Sequence, residues 1–265
     1  MLKTRLITGM IGAALAVGIV LWGVLPLRIS IAAIAMLMIY ELFRAVRLHR
    51  TPVLLVPALL LTAALSAAVV PAEWEGMAVL VFLIILFVVL LFGFSSIHTK
   101  DVALAGLFTL FVGLFMGTLA KIRMQEDGIR LIWLVFIGAW GSDVFAYTAG
   151  RIFGRHKLIP KVSPKKTVEG AVGALVGTAI AFYIFGLCAK ESLGVAPAFL
   201  GIMGIAASAC GQIGDLVASA IKRQYGIKDY GTIFPGHGGA MDRFDSVLFV
   251  APAIWILLQI AGRMG

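Results

Sequence analysis

The sequence predicts an all-α, polytopic integral membrane protein with about nine transmembrane helices and a cytoplasmic N-terminus. Three observations carry that reading: an apolar composition, repeated apolar runs of spanning length, and an uneven placement of basic residues. Of the 265 residues, 61% are hydrophobic and 13% charged, against about 25% charged in a typical soluble domain. A soluble core of this size cannot hide so much apolar surface, so lipid is the natural solvent for most of the chain.

A spanning helix needs about 20 predominantly apolar residues. Such runs lie near 6–25, 29–46, 53–70, 76–94, 102–120, 130–150, 170–188, 197–218 and 245–262. Each is read as a helix, because an open strand leaves its amides unpaired in hydrocarbon. The first run follows Lys3 and Arg5 and superficially resembles a signal peptide. Further apolar runs follow at once without a convincing small-residue cleavage site, so it is read as a retained helix. Alternating the spans from a cytoplasmic N-terminus places sixteen Lys and Arg inside and six outside, the asymmetry expected of cytoplasmic segments. The outside six include Lys190 and Arg263, and the odd span count leaves the C-terminus outside. The basic stretch Lys121–Arg130, which lands outside, fits this topology least well.

The net charge is +9, with 22 Lys and Arg against 13 Asp and Glu. Basic side chains at cytoplasmic helix ends, facing anionic headgroups, account for most of that excess, and no nucleic-acid partner is expected. Cys188 and Cys210 sit in apolar runs and read as small buried side chains. The acids divide the chain. Residues 1–125 form spans nearly free of carboxylates, a transmembrane scaffold. Residues 126–265 bring carboxylates to helix ends and hold two polar loops, 151–169 and 222–243, on one cytoplasmic face. The chemistry is expected in that second region.

The densest polar stretch runs from Ser219 to Asp245 and contains Lys222, Arg223, Lys228, Asp229, His237, Gly238, Gly239, Asp242 and Arg243. Cations beside bare glycine backbone suit polyphosphate, because glycine lets N–H groups approach the oxygens. Carboxylates in that company suit a divalent cation standing between them and the phosphates. Asp242 and Asp245, three apart, share a face at the start of the last helix, whose N-terminus favours their ionised form. Either they cap that helix or they bind a ligand. Asp215 lies inside an apolar span and precedes Ser219 and Lys222 by one and two turns. An intramembrane acid is a functional candidate by default, the alternative being an internal ion pair with Lys222 or Arg223. Asp143 invites the same two readings. In Ser163-Pro164-Lys165-Lys166-Thr167-Val168-Glu169-Gly170, either Ser163-Pro164 or Thr167 opens the next helix, and the preceding lysines make its start an anion site. Arg151 and Arg155 read as positive-inside anchors. His237 has no second His or Cys nearby, which argues against zinc.

This pattern resembles the phosphatidate cytidylyltransferase (CDP-diacylglycerol synthase) family. The resemblance rests on Ser219, Lys222-Arg223, Lys228-Asp229, Pro235, His237-Gly238-Gly239 and Asp242-Arg243-x-Asp245, on the Ser163–Gly170 loop, and on the length and many spans of the chain. It implies the reaction CTP + phosphatidate → CDP-diacylglycerol + pyrophosphate, with Mg²⁺ and a second cation such as K⁺. It also implies a homodimer in the inner cell membrane with a cytoplasmic active site. Carried over residue by residue, it makes Asp215 and Asp242 metal ligands and Asp245, Lys228 and Arg243 catalytic. Ser219, Lys222, Arg223, Lys165, Lys166, Thr167, His237, Gly238, Gly239 and Asp143 are the substrate-binding set. The rival readings are a transporter lined by Asp143 and Asp215, and a CTP-dependent lipid kinase. A CDP-alcohol phosphotransferase is disfavoured, because its longer two-Asp spacing is not found.

Overall fold

The computed structural model describes residues 2–189, 193–234 and 238–262. Lys190 and Arg263 of the topology count, and Pro235, Gly236 and His237 of the glycine loop, lie outside the described residues. The architecture is helical: α1 Leu2–Trp22, α2 Val24–Ala45, α3 Pro52–Ser66, α4 Ala72–Phe92, α5 Thr99–Arg123, α6 Gly128–Phe136, α7 Ser142–Phe153, α8 Val168–Cys188, α9 Pro197–Gln224 and α10 Met241–Ile260. Among the described residues, seven stretches are long and apolar enough to cross a membrane: α2, α4, α5, the Gly128–Phe153 stretch, α8, α9 and α10. α3 is apolar but has only 15 residues, about 22 Å of helix against roughly 30 Å of hydrocarbon.

Two local features depart from the sequence reading. The loop after α7 contains an antiparallel hairpin, β1 Lys157–Ile159 with β2 Ser163–Thr167. Ser163 and Pro164 therefore belong to a strand, and Thr167 opens α8: its hydroxyl accepts from the Gly170 N–H at 3.1 Å, the N-cap bond that leaves fewer orphan amides. The run near 130–150 is also interrupted. Residues Ile137–Gly141 make one π-helical turn between α6 and α7, a device frequent at functional sites.

The chain divides into two compact units, Met1–Ala120 with Tyr225–Arg243, and Lys121–Gln224 with Phe244–Gly265. In the first unit α2 packs on α1 and α3, and α3 on α4. Arg28 there donates to the carbonyls of Ala67 and Ala68, at 2.6 and 3.0 Å. Those are end-of-helix acceptors after α3 that would otherwise lack partners.

In the second unit α8 lies between α7 and α9, and glycine lets the backbones close. A Cβ on Gly173 would strike Ala149, and one on Gly177 would sit 2.5 Å from Cγ of Phe145. Toward α9, a Cβ on Gly204 would lie 2.7 Å from the Thr178 carbonyl. Small residues at such crossings are how helices associate where lipid removes the hydrophobic drive between them. Gly177→Leu is therefore expected to destabilise by about 1–3 kcal/mol, the range for overpacking. Gly76→Ala in α4, where a Cβ meets nothing within 4 Å, should leave the thermal midpoint in detergent unchanged. Equal midpoints for the two variants would contradict the packing.

Candidate active site

In the second unit, α7, the hairpin, α8 and α9 enclose a cavity of about 400 Å³. α7 supplies Asp143, Tyr147 and Arg151, and the hairpin supplies Leu158, Lys165, Lys166 and Thr167. Gly170 and Ala171 come from α8, and Gln212 and Asp215 from α9. Two lining residues form an ion pair: Lys166 Nζ lies 2.6 Å from Asp215 Oδ2, with the two side chains 26% and 29% exposed. Ser219, one turn on, donates to Asp215 Oδ1 at 3.3 Å. Among the described residues, Asp215 thus pairs with the hairpin lysine and not with Arg223 of its own helix. Arg223 instead turns to the Val162 carbonyl at 3.4 Å.

Around this pair the cavity wall is fixed by short polar links. Gln212 donates to the Ala171 carbonyl and to Ser208 Oγ, both at 3.3 Å. Ser208 and Ser142 share a buried hydroxyl contact of 2.7 Å. Arg151 donates to the Tyr147 hydroxyl at 3.1 Å, so a residue read as a membrane anchor lines the cavity. Glu169 takes the backbone N–H groups of Arg155 and His156 at 3.1 to 3.2 Å and meets His156 Nδ1 at 2.6 Å. That set pins the turn leading into the hairpin.

Asp245, 9% exposed, belongs to the same unit. Asp215, Asp143 and Lys222 all lie close enough to act on its charge. Its Oδ1 accepts from the Ser246 N–H at 2.7 Å. Three carboxylates and two lysines therefore share one field. Hard oxygen donors of this kind are what Mg²⁺ takes, and it usually uses one or two carboxylates plus phosphates and water. No ready-made group of three His, Cys, Asp or Glu ligands exists among the described residues. The donor set fits an ion held jointly with a substrate.

The first unit holds the other part of the motif. Lys228 and Arg243 are exposed and Asp242 is buried. Asp242 Oδ2 accepts from the N–H groups of Tyr230 and Gly239, at 2.8 and 3.0 Å. Gly238 has φ +84°, and a Cβ there would lie 2.7 Å from the same oxygen. The start of α10 is capped by a residue the sequence reading passed over. Glu41 of α2 accepts from Ala240 N–H at 3.0 Å and from Met241 N–H at 2.8 Å. The signal that marks Glu41 in the sequence is its rarity, an acid near the end of an apolar span in a region otherwise poor in acids.

A profile of the cytidylyltransferase family matches residues 3–261. The chain is 34% identical over 269 residues to a phosphatidate cytidylyltransferase of Bacillus subtilis (strain 168), an alignment covering 98% of each. It is 32% identical over 266 residues to a protein of the same name from Staphylococcus epidermidis (strain ATCC 12228), covering 97% of this chain and 99% of the relative. A third, from Staphylococcus aureus (strain COL), is 33% identical over 270 residues with the same coverage.

Proposed function

The chain belongs to the phosphatidate cytidylyltransferase family, and from that membership we propose that it makes CDP-diacylglycerol and pyrophosphate from CTP and phosphatidate. It is a nucleotidyltransferase with several apolar helices of spanning length. The observation that carries the substrate reading is the Lys166–Asp215 pair in a cavity that also holds Lys165, Arg151 and Asp143. Such a site answers the central difficulty of the reaction, which is bringing two polyanions together. The cavity is built on helices long enough to reach lipid. α9 has 28 residues, about 42 Å, so it outruns the roughly 30 Å of hydrocarbon and joins the acyl region to water.

In this reading a phosphatidate oxygen attacks the α-phosphorus of CTP. The new P–O bond forms as the bond from the α-phosphorus to the α–β bridging oxygen breaks, and that oxygen leaves with pyrophosphate. The attacking phosphomonoester has a second pKa of about 6, so it is largely dianionic near neutrality and needs no strong general base. Lys165, Lys166 and Arg151 hold phosphate oxygens, and Lys222, Arg223, Lys228 and Arg243 offset charge that grows on the leaving pyrophosphate. Asp215 and Asp242 are the residues proposed to hold Mg²⁺, with Asp245 as a catalytic carboxylate, and a second cation such as K⁺ is part of the proposal. When bound, the metal supplies charge neutralisation of the phosphates. Ser219 orients Asp215, and Gly238 and Gly239 shape the loop before α10. We further propose nine spans in the inner cell membrane, a cytoplasmic N-terminus, a cytoplasmic active site and a homodimer.

Purified protein in detergent, given α-³²P-labelled CTP and phosphatidate with Mg²⁺, should yield a lipid carrying the label together with pyrophosphate. Release of CDP instead would identify a lipid kinase, and absence of nucleotide turnover would favour transport.

A further inference from the structure

We propose that Glu41, from the second helix, is a positioning residue of the active site: it fixes the backbone at Gly231 and at Gly239–Met241 and thereby the placement of Asp242. The proposal rests on the reading of the segment from Tyr230 to Met241 as part of the site. Glu41 is 2% exposed and both its oxygens are used, Oε1 by the Ala240 N–H and Oε2 by the Met241 N–H. These amides open α10, where backbone donors lack intrahelical partners and the helix dipole favours an anion. Bonds to a charged acceptor are about twice as strong as neutral ones.

Two glycines of the segment are shaped around this carboxylate. A Cβ on Gly231 or on Gly239 would run into Glu41. Between them, Glu41 and Asp242 take four backbone N–H groups, those of Tyr230, Gly239, Ala240 and Met241. The Gly239 amide, which the sequence suggests for phosphate, is thus committed to Asp242. Gly231, Gly238 and Gly239 serve close approach of a carboxylate, and phosphate binding falls to lysine and arginine side chains. A span of the acid-poor half, sequence-distant by about 200 residues, is in this way part of the catalytic apparatus.

The test uses the full-length protein in detergent, with variants E41A, E41Q and G239A. Turnover number and KM for CTP are measured beside local hydrogen–deuterium exchange. E41A should lower kcat on the order of 10²-fold, the cost of a misplacement of about 1 Å. E41Q, which keeps one accepting oxygen, should retain more activity than E41A. Exchange should accelerate at Ala240 and Met241 and across 230–234, while the α7–α8 pair stays as protected as in wild type. Should E41A fail to fold, G239A and E41Q must show the same local exchange, because each disturbs the same carboxylate. Wild-type turnover in folded E41A overturns the proposal, and so does loosening spread evenly over α7 and α8, which marks a purely structural residue. If wild-type protein makes no labelled lipid, the proposed reaction fails, but the exchange arm still decides whether Glu41 holds the segment.

Discussion

Asp215→Asn should lower cytidylyl transfer by on the order of 10²–10³-fold while leaving the fold intact. The magnitude is that of losing one preorganised electrostatic group at a reacting centre. The substitution is nearly isosteric and retains an oxygen to accept from Ser219, whose hydroxyl lies 3.3 Å from Asp215 Oδ1. What it removes is the negative charge that faces Lys166 at 2.6 Å and also acts on Asp245. Circular dichroism and gel filtration in the same detergent check that helices and particle size survive. The informative measurement is kcat at saturating CTP across Mg²⁺ concentration. If the acid holds the metal with substrate, the variant stays slow even where Mg²⁺ is abundant. Turnover within about threefold of wild type would remove Asp215 from the mechanism and leave the Lys166 pair as a structural tie.

Much of this fold was legible because lipid imposes simple rules. Twenty apolar residues in sequence must be a helix, and the apolar runs near 76–94, 102–120 and 170–188 correspond to α4, α5 and α8. The failures have physical causes. The hairpin Lys157–Thr167 carries two prolines and several cations, with no alternating apolar pattern to announce a strand. It is held by its connection to α8 and by Glu169 rather than by strand propensity. The π-turn Ile137–Gly141 leaves hydrophobicity unchanged, so composition cannot reveal it. The turn lies at a close crossing, where a Cβ on Gly138 would lie 2.9 Å from Val250 and 3.1 Å from Ala207.

The site was legible unevenly for a related reason. Charged residues that stand out against apolar sequence, such as Asp143, Asp215 and the Lys165-Lys166 pair, do come together in one cavity. Which acid meets which base was not readable, because helix periodicity ranks neighbours within an element and says nothing about another element. Periodicity offers Lys222 to Asp215, whereas the fold brings in Lys166 from the hairpin. Glu41 fails for the same reason at greater range, since its partners are 199 and 200 residues away.

Lys166→Ala should raise KM for CTP by roughly 10–100-fold, corresponding to the loss of one hydrogen bond from a charged group, about 1.5–3 kcal/mol. In the resting site Lys166 neutralises Asp215. In the proposed reaction an incoming phosphate would offer the same ammonium a second anion, and a cation bound with the nucleotide would offer Asp215 a second positive charge. Binding would then exchange one internal pair for two substrate pairs, so charge balance would be kept as ions enter a half-buried cavity. Without Lys166 the acid stands unneutralised before substrate arrives, and the phosphate loses a partner after it. Lys166→Arg keeps the charge but replaces a compact ammonium by a broad fork, so it should recover part of the affinity. The double variant Lys166→Ala with Asp215→Asn decides the exchange. Residues acting through one pair give non-additive losses, so the double variant should bind CTP scarcely worse than the worse single. Fully additive losses in KM would show that the two side chains meet substrate independently, and would end the account of a pair that opens for it.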